Sequence, residues 1–453
     1  MTESQLREPG RLAYLGLLAA SAAGTLSSNI MNAPLHIIKE DFGATESQAV
    51  LAVSAFTIAM VIFVPFMGWL CDRSGSVRIV ILGLSIMVLA QLAAGLAANL
   101  ETIVALRGVQ GMACAVMPPG VQRGLAVLWP SKGAAAMAAW ASAIAVGQAL
   151  GPPVGGLITE AWGWRSVFFV QSAVCLVIVC LVALTVPRVS GREAPIHGVG
   201  MAILMLTMGA CVLAVTLIGQ RADPVTEAIV AIVASAGLGI YLFLATRHPE
   251  RLLEPRSLWE KRFIRGTANA GTAMFIMGVC LVALPLYLGD LQLSAGPVGL
   301  IMFTMALSMV LSGQAVGRLT KRYSPRIVVE VGLLLLILAP LGLGMWTASE
   351  HASLSVLVTV LVILLVVIGA GINAGQSVAA FGISRSSAAR NSMAFGIHNT
   401  IRFMGLATGY AWAALIVPLG LPLLLYGGAA AVALVALVIV IIGGPVEPRE
   451  ADA

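Results

Sequence analysis

Long apolar runs broken by short polar segments recur along the whole chain. A spanning helix needs about 20 mostly apolar residues. The pattern predicts fourteen such helices, near 12–36, 48–70, 79–99, 102–128, 133–159, 166–187, 198–219, 227–246, 264–288, 297–317, 327–347, 352–380, 391–417 and 421–444. The alternating pattern of a membrane β-barrel is absent. The longest polar segment, Arg247 to Gly266, mixes signs and holds two prolines, and reads as a loop with a short amphipathic helix on the membrane surface. The expected fold class is an all-α polytopic membrane protein.

Composition agrees: 59% of the 453 residues are hydrophobic and only 10% are charged, where soluble domains carry about 25%. No signal-type cleavage site follows the polar first ten residues, so the first apolar segment is expected to stay as a span. An even number of spans puts both termini on one side. With the N-terminus inside, about 21 of the 26 Lys and Arg residues fall on the cytoplasmic side. Only Lys39, Arg165 and Arg221 fall outside, and Arg107 and Arg402 lie within helices. The net charge of +6 therefore reports insertion into a cytoplasmic (inner) membrane and not a nucleic-acid partner.

The six cysteines show no CxxC spacing and the five histidines are scattered, so no metal site or disulfide frame is expected. No P-loop occurs. No nucleophile–base pair stands at membrane depth, which argues against an enzyme.

The chain echoes itself. Gly68-Trp69-Leu70-Cys71-Asp72-Arg73-Ser74-Gly75, with Arg78 after it, has a counterpart in GRLTKRYSPR at 317–326, and residues 131–140 weakly echo 387–396. Two six-helix halves with two helices between them fit this offset, a transporter architecture. The expected domains are a bundle at 1–187, two additional spans and a linker at 188–262, and a second bundle at 263–453.

Three N-terminal motifs carry a resemblance. Gly68 to Gly75 is similar to the G-x-L-a-D-R-x-G loop of the major facilitator superfamily. Arg107-Gly108-Val109-Gln110-Gly111 resembles its R-x-x-q-G. Gly147, Gly151-Pro152 and Gly155-Gly156 resemble the antiporter motif G-x-x-x-G-P-x-x-G-G of the fifth helix, and residues 162–169 its W-x-W-R-x-x-F. Among its members the chain looks most like the fourteen-helix drug:proton antiporters. That resemblance implies a secondary active transporter exporting small molecules by alternating access, with the proton gradient as energy source and no cofactor. Ser76 and Val77 depart from the family, where basic residues are usual.

Gly147, Gly151 and Gly155 recur every fourth residue on one helix face, where two backbones can approach. Pro152 and Pro153 each remove a backbone donor and favour a bend. The face reads as permanent packing or as a sliding seal, and the two are compatible. Asp72 is expected to pair with Arg73 or Arg78 or with a helix N-terminus, as a weak gate latch. The alternative is a loop that only sets topology.

Arg107 lies about 9 Å into the fourth helix, where a charge faces a cavity or a partner. It is expected to form a polar cluster with Asn29, Asn32 and Gln110, or else to snorkel to the headgroups. No acid occupies the first helix, although relatives of this branch usually have one, and none lies near the middle of any span. His398 and Arg402 share a face of the thirteenth helix. His398 is a candidate proton site, with Asp290 and Glu330 as rivals, or a structural histidine. Further candidate cavity residues are Trp140, Gln148, Gln171, Gln314, Asn373, Gln376 and Asn399, all able to serve instead as interhelical glue. The 19 methionines could line an adaptable pocket or simply pack.

Two mid-depth arginines without a central carboxylate favour a neutral or anionic amphiphile as the small-molecule partner. The remaining expected partner is the lipid bilayer, around a monomer. A facilitator or proton symporter for a metabolite is the main alternative, and a transport-dead sensor or scaffold a lesser one.

Overall fold

A computed structural model describes residues 8–129, 131, 133–191, 197–219, 224–247, 260–349, 353–384 and 392–442. The described residues are helical throughout, with no strand among them. In chain order the helices are α1 (Arg11–Asn29), α2 (Leu35–Asp41), α3 (Glu46–Ser74), α4 (Ser76–Gly95), α5 (Leu100–Cys114), α6 (Met117–Leu128), α7 (Gly133–Trp162) and α8 (Trp164–Thr185). There follow α9 (Gly198–Gly219), α10 (Pro224–Arg247), α11 (Lys261–Asp290), α12 (Ala295–Arg322), α13 (Pro325–Thr347), α14 (Leu354–Ser384), α15 (Ser392–Ile416) and α16 (Pro422–Ile442). Ten described stretches are long and apolar enough to cross a membrane, and α9 and α10 contain shorter apolar stretches, Gly198–Ala214 and Ile232–Arg247. The surface helix expected between Arg247 and Gly266 falls largely outside the described residues.

Two expected spans are broken. The first ends at Asn29, and the apolar residues beyond it form a turn and then the short α2, whose N-cap is Pro34. The fourth is carried by α5 and α6, separated at Ala115–Val116 just before Pro118 and Pro119. Two consecutive residues without N–H groups leave the preceding carbonyls without helical donors. By contrast α7 continues unbroken through Pro152 and Pro153.

The chain packs as two groups of helices. In the first, α3 lies on α5, α4 on α8 and α1 on α7; in the second, α11 lies on α15 and α14, α12 on α14, and α13 on α16 and α14. The groups meet chiefly where α7 packs on α12 and α3 on α15, and α11 also touches α2. Helix α9 lies along the second seam and touches both α3 and α15, with α10 packed behind it. Met201 and Leu204 of α9 bury against Phe66 and Trp69 of α3, and a Cβ on Gly209 would stand 3.3 Å from Ile62. Thus α9 packs against both groups of helices. Outward positions such as Leu89, Val177, Leu184, Leu206, Leu311, Leu338 and Ile442 are exposed apolar residues, as expected of helices surrounded by lipid.

Below, the terminal face is the side where α1 starts and α16 ends. The far face carries α2 and the connections α4–α5, α7–α8 and α11–α12.

Candidate functional site

Arg107 of α5 is completely buried, at 0% exposure. Its Nε donates to Ala52 O at 3.0 Å, Nη1 to Ser27 O at 2.9 Å and to Gln110 Oε1 at 3.1 Å, and Nη2 to Ser28 O at 3.4 Å. The ring of Phe56 lies under the guanidinium, 4.5 Å from centroid to Cζ. Ser27 and Ser28 belong to the last turn of α1, whose final carbonyls have no helical donors. The backbone supplies Leu26 O and Asn29 O with the N–H groups of Ile30 and Asn32. The guanidinium takes the two carbonyls between them. Arg107 therefore caps the C-terminus of α1, where the helix dipole favours a cation. The sequence reading expected a charge facing a cavity or a partner, in a cluster with Asn29, Asn32 and Gln110; the structure gives it Gln110 and carbonyls of α1 and α3 as partners, inside the first group of helices. Snorkelling to the surface is ruled out by its burial.

Gln110 extends the network, donating to Ala90 O of α4 at 3.3 Å. Gln91 donates to Ser27 Oγ at 3.1 Å. Asn29 and Asn32 are buried nearby, but neither bonds Arg107, and the Asn29 Oδ1 and both Asn32 side-chain polar atoms lack hydrogen-bond partners. Across the seam, Tyr410 of α15 points at this corner. Its hydroxyl neighbours Asn32 and Thr57 and lies in the field of Arg107, and both hydroxyls are buried without partners. Tyr410 was not a sequence candidate, since a single tyrosine in an apolar helix carries no local signal. Unpaired buried polar groups cost about 1–3 kcal/mol each, so this seam is a place where polar capacity is stored.

The glycines of α7 face α1. A Cβ on Gly147 would strike Ala22 O and Thr25 Oγ1, one on Gly151 would stand 2.8 Å from Asn29 Cβ, and one on Gly155 would strike Ile30 O. Thr25 Oγ1 completes the contact by donating to Ile144 O at 3.2 Å. Gly156 instead opposes the Ala295 backbone of α12, and Pro152 O opposes Gly299. One motif thus serves two interfaces: backbone-to-backbone packing inside the first group, and contact with the second group near the far face.

In the second group, His398 is 7% exposed and its Nδ1 lies 3.3 Å from Thr267 Oγ1 of α11. Arg402, one turn on, has the Phe403 ring 5.3 Å from its Cζ. Asn373 donates to Ser312 Oγ at 3.2 Å and accepts from Ser377 Oγ. Gln376 Nε2 approaches Met274 Sδ at 3.2 Å, and Asn269 donates to Gly375 O at 3.0 Å. Asn399 is buried. In the first group Trp140 donates to Ser21 Oγ at 3.0 Å, Gln148 is buried, and Gln171 is buried with no partner for its amide. The Gln314 side chain lies outside the described residues. The described candidates therefore divide between the two groups.

On the terminal face Asp72 pairs with Arg123 of α6. Arg73 lies over the Trp69 ring at 5.5 Å, and Arg78 is exposed. Gly75 has φ 93° and a Cβ there would strike Val189 O, so glycine is required twice over. Gly68 opposes Pro119. The far face carries ion pairs between the groups. Asp290, at the end of α11, lies 3.7 Å from Lys39 Nζ and 3.8 Å from His36 Nδ1, both on α2. Glu160 of α7 accepts from Ser294 Oγ at 3.2 Å and lies against Gly296, at the N-terminus of α12. Glu330 is held by Arg326 at 2.7 Å. Neither rival proton site is central. Among the described residues no cluster of metal-ligating side chains occurs.

Residues 15–267 match the family model described as the Major Facilitator Superfamily, more than half of the chain. The chain belongs to this superfamily. It is a transporter, not an enzyme. Among curated proteins it is 25% identical to the multidrug resistance protein Stp of Mycobacterium tuberculosis, over 85% of this chain and 72% of that one. It is 28% identical to the multidrug export protein EmrB of Haemophilus influenzae, over 71% of this chain and 64% of that one. A crystal structure of the peptide transporter POT in complex with sulfate superposes with a TM-score of 0.73 at 18% identity, covering 98% of each chain. That likeness establishes the major facilitator fold.

Proposed function

We propose that this protein exports small amphiphilic molecules by proton antiport. Two six-helix halves, residues 1–187 and 263–453, alternate access to a midplane site, and the two additional spans at 188–262 complete a frame of fourteen. Both termini face the cytoplasm on the charge distribution of the loops, which puts the terminal face inside and the far face outside. The proton gradient supplies the energy, the working unit is a monomer, and no cofactor takes part.

The observation that carries this reading is the double use of α7. Its Gly-Pro motif is packed against α1 by Gly147, Gly151 and Gly155 and against α12 by Pro152 and Gly156. A helix joined so tightly to its own half and resting on the other transmits motion between them. Relatives named for multidrug resistance and export support the substrate class. The lack of a mid-depth carboxylate favours neutral or anionic amphiphiles over lipophilic cations.

The test is substrate flux in reconstituted vesicles under an imposed pH gradient, together with drug susceptibility of an efflux-deficient host. Gly151→Leu and Arg107→Ala are expected to abolish resistance. A His398→Gln variant that keeps full pH-driven flux would remove His398 as the proton site. A second reading, a facilitator or proton symporter for a metabolite, is favoured by the absence of any acid in α1. Flux that needs no gradient, or that runs with the proton, would establish it.

A further inference from the structure

The two mid-depth arginines differ in what surrounds them. Arg107 makes four hydrogen bonds, whereas among the described residues none is made by Arg402. Its Nε is buried without a partner. Its neighbours are the Phe403 ring and, one turn back, His398. Arg402 stands about 15 Å from the start of α15 and about 21 Å from its end, at 1.5 Å per residue, so neither headgroup region offers it a phosphate.

The direction it takes follows from the contacts of α15. His398 meets Thr267, and Ile401, Gly405 and Gly409 lie against Gly271, Phe275 and Gly278, all on α11. Tyr410 turns to Asn32 and Thr57 of the first half. At 100° per residue Arg402 lies about 40° from His398 and about 80° from Tyr410, on the arc between these two contact lines. It therefore faces the interior, where α11, α15 and the first half converge. Among the described residues no internal counter-ion is at hand: Glu330 is taken by Arg326 and Asp290 lies at the far face beside Lys39.

A membrane-buried charge that nothing balances is costly, and such residues mark pathways. We propose that Arg402 anchors the head group of the transported molecule, and that this molecule is an organic monoanion, a carboxylate or sulfonate on an apolar body. The guanidinium fork presents paired N–H donors to two such oxygens. This inference rests on the export reading above and adds a substrate class to it.

The experiment compares decanoate, a monocarboxylate, with ethidium, a lipophilic cation, on the full chain in nanodiscs, with empty nanodiscs as the blank. Decanoate is expected to bind wild type and raise its melting temperature. Arg402→Met should lose that shift and weaken decanoate binding by about 10- to 100-fold, with Arg402→Lys in between. Without ligand, Arg402→Met should melt no lower than wild type, because it removes a charge that no protein group balances. The proposal is overturned if wild type does not bind decanoate, if Arg402→Met binds it within two-fold of wild type, or if ligand-free Arg402→Met melts lower or fails to fold. Proton-driven ethidium export without decanoate binding would leave export standing and overturn the anion site. Decanoate binding through Arg402 without proton-driven flux would do the reverse.

Discussion

Replacing Arg107 with lysine isolates its capping role, because the charge stays and only the fork is lost. The guanidinium spends Nε on Ala52 O, Nη1 on Ser27 O and Gln110 Oε1, and Nη2 on Ser28 O. A lysine nitrogen placed where Nη1 stands keeps Ser27 O and Gln110 and gives up the other two. Hydrogen bonds to charged groups contribute about 1.5–3 kcal/mol each. The Ser28 bond is long, so the expected loss is about 2–4 kcal/mol. Methionine is a poorer probe, because stranding Ser27 O, Ser28 O and Gln110 Oε1 is offset by no longer burying a charge. The assay is equilibrium unfolding in mixed detergent micelles, followed by tryptophan fluorescence. An Arg107→Lys protein within about 0.5 kcal/mol of wild type would refute the capping argument, since that is the scatter of an ordinary surface substitution.

Gly155→Ala should destabilise by about 1–3 kcal/mol in the same assay through its collision with Ile30 O, whereas Gly108→Ala, with open space at its Cβ, should stabilise by up to about 1 kcal/mol through helix propensity. Asp72→Asn should cost about 1–3 kcal/mol, between the values for exposed and buried pairs, and the exchange Asp72→Arg with Arg123→Asp should recover part of it; no recovery would mean that the pair does not couple α3 to α6. Glu160→Gln removes an anion from the N-terminus of α12, worth about 0.3–1 kcal/mol. Spin labels at Trp162 and Leu291 should then report a roughly two- to five-fold larger population with the far face open.

The helices were legible because lipid imposes a simple rule on composition, and the family motifs gave the order of the first five spans. The breaks were less legible. Beyond Asn29 the sequence stays apolar through Ile30, Met31, Leu35 and Ile38, so hydropathy extends α1 where Pro34 begins a new helix. Pro118-Pro119 did carry a local signal for the break between α5 and α6, hidden inside an apolar run. Depth along a helix placed Arg107 well inside its span, but its partners there are mostly carbonyls of α1 and α3, and a carbonyl has no letter in a sequence. Arg123, the partner of Asp72, and Tyr410, the neighbour of Asn32, lie on other helices, and no spacing rule joins them.

The placement of α9 makes the two edges of the molecule unequal. On one edge a third helix, α9, lies across α3 and α15 and covers their seam. On the other, α7 and α12 meet directly through Gly156, Gly299 and backbone, and none of the described helices packs across both. The two flanks therefore offer the surrounding bilayer unequal cover, one lined by α9 and the other, among the described helices, by α7 and α12 alone.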